Sequence, residues 1–357
     1  MNTPYKKIVV VGPYHPDSFA KCITETLREM GHEAHSVSTR EILGVSYKSG
    51  IEKKGKAKAS TRFKLRIIET LMQAKPSFEQ RIYTKVEKKI VQHEPDLVLI
   101  LNGRIPPETV NAVKEKTGAP VILWFPDHPA NLGRQYLFGA DYDAYFFKDK
   151  FLVEMARRIG KNAHYLPECC MPEWHNKIDP TDEEKETYTC DITTAGNLYH
   201  YRARIFEALA GTYDVKIWGP PVPRWMETSL QTVHQGRGVT EHDKAKAFRG
   251  AKIVVNTFQG EVDGVNLRTF EAAGCGAFQI CEHRDALKEL FEIDTEIVTF
   301  RNIQDLIKKV DHYLAHPEER KKIADAGYAR AHRDHTYKKR LEKILETICH
   351  KQPHNTR

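Results

Sequence analysis

The hydrophobic pattern begins with a continuous, largely β-branched run from Lys7 to Val11 that ends at Gly12-Pro13. A helical spacing follows through Phe19, Cys22, Ile23, Leu27 and Met30 and stops at Gly31. Continuous apolar runs predict buried strands and a 3.6-residue spacing predicts amphipathic helix, so the opening reads strand, loop, helix. Further strands are predicted at His32 to Ser38, Leu97 to Leu101 behind Pro95-Asp96, Val121 to Phe125 and Ala144 to Phe147, with helical stretches between them. That alternation predicts a parallel α/β layer. Near Leu166-Pro167 the pattern breaks, and Cys169 to Thr189 holds two prolines, several acids and no periodic apolar face. The theme restarts with strands at Asp191 to Thr194, Val215 to Trp218, Ile253 to Asn256, Ala277 to Cys281 and Glu296 to Thr299. Helices are predicted through Ile205, Leu209 and Ala210 and over 241–249, 266–274 and 303–315. The tail from His332 to His350 spaces Tyr337, Leu341, Ile344, Leu345 and Ile348 as one face of an amphipathic helix. The expected organisation is a Rossmann-like domain over 1–168, a linker over 169–190, a second such domain over 191–335 and a terminal helix over 336–357.

Length agrees with this division, since 357 residues make two domains of ordinary size. An apolar fraction of 40% excludes disorder as a whole-chain answer. The net charge of +7 is unevenly spread: Lys48 to Lys89 carries thirteen basic and four acidic residues, which leaves the remainder near neutral. This segment is a candidate surface for an anionic polymer or a membrane, with nucleic acid a weaker possibility. The competing reading is a solvated loop and helix in which Phe63, Leu65, Ile67, Ile68 and Leu71 face a core while the lysines stay wet. Seven cysteines, Cys169 and Cys170 adjacent and none in a Cys-x-x-Cys pair, argue for reduced thiols rather than a disulfide framework or zinc site. The first apolar run is too short for a signal peptide and no stretch of about 18 apolar residues occurs, so a cytoplasmic protein is expected.

Several signals fail on their context. Gly50 to Lys56 has the glycine and lysine spacing of a phosphate loop, but Ala57 stands where a hydroxyl should hold magnesium and no buried strand precedes it. Gly12 lacks the rest of a dinucleotide fingerprint, and the second strand ends at Ser38-Thr39 rather than at an acid. Asp141-Tyr142-Asp143 reads as a turn rather than a metal-chelating pair, His332 and His335 read as solvent-facing, and no His-Glu-x-x-His arrangement exists. No metal is expected.

The informative stretch is Asn256 to Phe278, in which a strand delivers Asn256 to a sheet edge, a loop follows, and a helix starts at Asn266, a plausible N-cap. Such a terminus presents amide donors and a positive dipole end to a diphosphate. Arg268 adds a cation, Glu271 has a carboxylate suited to two ribose hydroxyls, and Asp263 is placed in the loop to contact a transferred sugar. In the first half His15, Asp17, Asp127 and His128 stand at the ends of predicted strands, with Asp127, then His15, then Asp17 preferred as a base for an acceptor hydroxyl. Asp127 has a competing reading as a loop cap before Pro129.

An acid, seven residues and then Glu resembles the paired-acid motif of two-domain glycosyltransferases. Asn266 to Ala277, Leu290-Phe291 with Glu296 to Val298, Tyr313 to Arg320, Ile323 to Gly327 and His335 to Arg340 together resemble the CgeB family of bacterial glycosyltransferases, named for a spore-maturation protein. The likeness is dense from Asp191 to Arg340 and thinner before it, where Trp124 to Pro129 and Phe147 to Asp149 carry it. The first acid departs from the family by being Asp263 rather than Glu. The resemblance implies a GT-B fold, two Rossmann-like domains facing each other across a cleft, with the acceptor in the first, the donor in the second and the terminal helix returning to the first. It implies that Glu271 binds ribose, that Arg268 and the amides near Val265, Asn266 and Thr269 bind diphosphate, and that Gly196, Asn197 and Arg202 line the facing loop. Trp218, Gly219 and Arg237 would form the base-binding wall, although Trp218 reads equally as core. The expected reaction is sugar transfer from a nucleoside diphosphate sugar, first of all a UDP-sugar, to a hydroxyl of a cell-surface or spore glycan or a protein, with no cofactor. The acid spacing leans toward retention of configuration and leaves inversion open. An epimerase or hydrolase on the same fold, and a non-catalytic scaffold for an anionic polymer, are the alternatives.

Overall fold

A computed structural model describes residues 4–43, 59–129, 136–222, 226, 229–258 and 262–349. The chain divides into two compact units, one holding the residues up to Pro167 together with those from Tyr337 onward, the other running from Glu168 to Thr336.

The first unit is built on six strands, β1 (Lys7–Val11), β2 (Glu33–Val37), β3 (Leu97–Ile100), β4 (Val121–Phe125), β5 (Ala144–Phe147) and β6 (Ala163–Tyr165), in the order β2-β1-β3-β4-β5-β6. Every pairing is parallel. Both faces of a parallel sheet are covered by crossover helices, which explains why β3, β4 and β5 are buried at every position. The covering helices are α1 (Phe19–Glu29), α2 (Thr39–Ile42), α3 (Ala59–Ala74), α4 (Pro76–Val91), α5 (Pro107–Thr117) and α6 (Lys150–Arg158). The short β6, which alternates too little to stand out in the sequence, completes the sheet edge beyond β5.

The second unit holds β7 (Cys190–Ala195), β8 (Val215–Trp218), β9 (Ala251–Asn256), β10 (Gln279–Glu282) and β11 (Val298–Phe300) in the order β11-β10-β9-β7-β8, again all parallel. Its helices are α7 (Lys185–Tyr188), α8 (His200–Ala210), α9 (Glu241–Gly250), α10 (Leu267–Gly274), α11 (Leu287–Leu290), α12 (Ile303–Ala315) and α13 (Pro317–Asp334), and α14 (Tyr337–Cys349) belongs to the first unit.

Three expectations meet a different arrangement. The stretch 169–190 is packed into the second unit: Cys169, Cys170, Met171, Trp174 and His175 are all buried. Gly274 makes room for it, because a Cβ there would stand 2.9 Å from Cys170 Cβ and 3.1 Å from His175 Cβ. Burial here comes from contacts distant in sequence, which periodicity within the segment does not report. On α3, Phe63 and Ile67 point outward while Ile68, Leu71 and Met72 are partly covered and Met72 packs on the core. A helix buries one stripe, and residues 63 and 67 lie on the stripe opposite 68 and 72. Third, His332 is half-buried with its Nε2 2.9 Å from the Gly274 carbonyl, and His335, at the end of α13, is buried between Phe270 and Phe291 with its Nε2 2.7 Å from the Leu290 carbonyl. Residues 48–58 of the basic segment, with Gly50 to Lys56, lie outside the described residues.

Candidate functional site

In an open α/β sheet the crevice lies beyond the carboxyl ends of the strands, where the strand order reverses. In the second unit that point falls between β7 and β9, and the residues following those strands, Gly196-Asn197 and Thr257, converge there. Arg202 of α8 ties the two loops together: its Nε donates to Thr257 Oγ1 at 2.9 Å, its Nη2 to the Thr257 carbonyl at 3.3 Å, and its Nη1 to the Asn197 carbonyl.

The last residue of β9 and the cap of α10 form a reciprocal amide pair. Asn256 Nδ2 donates to Asn266 Oδ1 and Asn266 Nδ2 to Asn256 Oδ1, both at 3.0 Å. Asn266 Nδ2 also reaches the Thr257 carbonyl at 3.0 Å, and the Asn266 side chain accepts from the Thr269 amide at 3.3 Å. Thr269 Oγ1 accepts from Asn256 Nδ2 at 3.0 Å. The start of α10 is thereby fixed against the end of β9, with its positive dipole end at the switch point. Arg268 Nη1 donates to Asn256 Oδ1 at 2.9 Å, while its Nε is buried and has no hydrogen-bond partner among the described residues. Burial lowers the Arg268 guanidinium pKa from its ordinary value against the opposing pull of Glu271. Gly196 has φ +123° and a Cβ on it would run into the Arg268 guanidinium; a Cβ on Gly219 would run into the Gly196 carbonyl. Only glycine permits this approach of backbone to guanidinium.

Glu271, one turn into α10, is buried, and its Oε1 accepts from Lys244 Nζ of α9 at 2.6 Å. His175 Nε2 stands 3.6 Å from the same oxygen, and His175 Nδ1 accepts the Met171 amide at 3.0 Å, which assigns the ring proton to Nε2. Burial alone would raise the Glu271 carboxyl, but Lys244, His175 and Arg268 outweigh it and hold the group below its usual range, so it is ionised at neutral pH. Burial also pushes the His175 pKa down to about 3, against the attraction of Glu271. Neither Lys244 nor His175 is among the residues expected from the sequence. A signal for Lys244 existed, since it shares one face of α9 with Ala245 and Phe248.

Asp263 Oδ1 accepts the Ala286 amide at 3.0 Å, and Val265 is buried among Phe258, Phe270 and Phe291. Trp218 is 1% exposed and belongs to an apolar cluster with Phe248 and Ala272. The Arg237 guanidinium lies 4.9 Å from its ring centroid and pairs with Asp243 at 2.5 Å. In the first unit, His15 and Asp17 lie in the loop after β1 and Asp127 in the loop after β4, on the carboxyl side of their own sheet. Asp17 has φ 59°, the left-handed region, and Asp127 Oδ1 accepts the His128 amide at 2.8 Å. Asp143 accepts from Lys114 and the Val121 amide, and Asp141 pairs with Lys161, so each carboxylate serves a turn.

Residues 202–346 match the family model described as glycosyl transferase-like, a stretch that starts in α8, takes in α9 and α10, and ends in α14. The spore protein CgeB of Bacillus subtilis (strain 168) is 24% identical over 259 residues, 67% of this chain and 78% of that protein. The chain is thus similar to CgeB and carries a glycosyl transferase-like segment. Its GT-B fold is shared with a glycosyltransferase from Rickettsia africae ESF-5, at TM-score 0.64 and 12% identity over 98% of this chain and 100% of that one. Anabaena Alr3699/HepE, whose structure was determined with UDP and glucose, superposes with TM-score 0.63 at 12% identity over 97% and 100% of the two chains. In this CgeB-like chain the family match covers the cap of α10, Arg268, Glu271 and Lys244, while Gly196 and Asn197 lie just ahead of it.

Proposed function

We propose that this protein transfers a glycosyl group from a nucleoside diphosphate sugar, specifically a UDP-sugar, to a hydroxyl of a glycan or protein acceptor, without a divalent cation. The observation that carries the reading is the Arg268 guanidinium, buried beneath Gly196 at the start of α10 with its Nε unpartnered among the described residues. A diphosphate supplies acceptor oxygens for such a group, and the helix terminus adds dipole and amide donors. Arg202 and Arg268 are fixed before any ligand arrives, so they stabilise the charge that grows on the leaving diphosphate without reorganising. Complexes of HepE with UDP and with UDP-glucose support this donor class.

Lys244 and His175 both address Oε1 of Glu271, which leaves Oε2 for ribose hydroxyls. An ionised carboxylate only accepts, as two hydroxyls require. Asp263 is assigned to the transferred sugar and Asp127, His15 or Asp17 to the acceptor proton. Glu271→Ala should weaken UDP binding by about 10- to 150-fold, the equivalent of roughly 1.5 to 3 kcal/mol for a charged hydrogen-bond acceptor. Calorimetric titration with UDP measures it, and an unchanged affinity removes Glu271 from the site. Transfer that persists in EDTA supports metal independence; hydrolysis of the donor without acceptor-dependent product would instead identify a hydrolase.

A further inference from the structure

Five large apolar side chains remain exposed on two helices of the first unit. Phe63 is 68% and Ile67 44% exposed on α3; Phe151, Met155 and Ile159 are 45%, 41% and 58% exposed along α6 and its C-cap. A spacing of four places each set on one stripe. The two stripes share a face of the sheet. The β2-to-β3 and β5-to-β6 connections step in the same direction through the strand order, so right-handed crossovers put α3 and α6 on one side, while the β1-to-β2 connection puts α1 on the other.

The helices that bear and adjoin the stripes are basic. Residues 59–91, which hold α3 and α4, carry eight basic and three acidic residues, with Arg66, Lys75, Arg81 and Lys85 exposed. Arg157 and Arg158, also exposed, flank the α6 stripe. A second copy of the chain would bring like charge against like charge. A nucleic acid would meet the cations but offers nothing to the aliphatic side chains of Ile67, Met155 and Ile159. Phosphate headgroups above acyl chains answer both. We infer that the first unit docks peripherally on an anionic membrane through the face bearing α3 and α6. No helix among the described residues is long and apolar enough to cross a membrane, so the association is with the bilayer interface. Five inserted side chains supply the apolar area while the flanking Arg and Lys supply a salt-sensitive attraction.

The test is flotation of the full-length protein with vesicles of phosphatidylcholine alone or with roughly one third phosphatidylglycerol, at low and high salt. Binding is expected to the anionic vesicles only and to fall as salt rises. The double variants Phe63→Ser with Ile67→Ser, and Met155→Ser with Ile159→Ser, replace exposed side chains and should keep the wild-type melting temperature while each weakens partition by about tenfold. Absence of vesicle binding overturns the proposal. So does vesicle binding that both variants retain in full, which would mean charge attraction to any polyanion. A concentration-dependent dimer in solution that the variants dissociate would assign the face to a second copy and equally overturn it.

Discussion

At the scale of single residues, the site is organised by two buried cations and one buried acid, Arg268, Lys244 and Glu271. A buried ion pair costs desolvation that its attraction scarcely repays, whereas removing one partner strands the other charge at a cost of about 3–5 kcal/mol. Lys244→Met should therefore destabilise the second unit by that order and lift the Glu271 pKa, and a melting temperature equal to wild type would deny the pair its importance. His175 yields a pH dependence whose sign can be worked out. Its folded pKa lies near 3 and its ordinary value is 6.5, so between those limits the unfolded chain binds a proton that the folded one does not. Stability is then full above pH 6.5 and is lost as pH falls, by about 2 kcal/mol at pH 5. Glu271, Lys244 and His332 are the charged or titratable groups whose fields reach it in this unit. Thermal melts from pH 7.5 to 5 should show a shallower slope in His175→Gln, and an identical slope would show that other histidines govern this range. That Asn266, Arg268 and Glu271 come together was legible in the sequence because they lie within six residues on one capped helix. Lys244 and His175 were not, because each meets Glu271 from a different element, and a contact between elements leaves no local spacing to read.

At the scale of elements, the β7–α8 turn meets the Arg268 guanidinium of α10 only because Gly196 carries no side chain, and the end of β8 approaches that turn only because Gly219 carries none. Gly196→Ala would place a Cβ in the space of the Arg268 guanidinium at φ +123°. Backbone strain of this kind costs about 1–3 kcal/mol. Displacement of Arg268 should additionally lower UDP affinity by about tenfold or more, the loss of roughly one charged hydrogen bond. Gly211, at the end of α8 with nothing within 4 Å of where a Cβ would stand, is the control: Gly211→Ala should leave affinity and melting temperature unchanged or slightly improved. Equal behaviour of the two variants in melting and titration would refute the role given to the Gly196 turn. Ten of the eleven strands were legible, most of them as apolar runs, since a parallel sheet buries both faces and concentrates Val, Ile, Leu and Phe into continuous stretches. The segment 169–190 was not, because its buried residues answer to α10 and α13 rather than to one another.

At the scale of the whole chain, the first unit is closed by residues that come last. Tyr337, Leu341, Ile344, Leu345 and Ile348 bury one face of α14 in that unit. Tyr337 lies 5.6 Å from the ring of Phe19 and 6.4 Å from that of Trp124. Arg340 Nε donates to the Pro167 carbonyl at 2.9 Å, joining the end of the unit's first segment to its second. The sequence announced this helix through its periodicity but not its starting point, because the polar stretch 332–336 holds no glycine or proline to mark the break at which α13 ends at Asp334 and α14 begins at Tyr337. Each such apolar side chain contributes about 1.5–3 kcal/mol on burial. Five of them approach the whole stability of a typical domain, about 5–15 kcal/mol. A chain ended at Thr336 should therefore lose the cooperative melting of the first unit and become open to protease between residues 4 and 167, while the second unit, whose core clusters draw on none of α14, keeps its own transition and its affinity for UDP. Calorimetry with limited proteolysis separates the outcomes. A truncated chain with the full wild-type melting profile would mean that α1 and β4 hold the first unit together without α14, and loss of both transitions would mean that the two units do not fold separately.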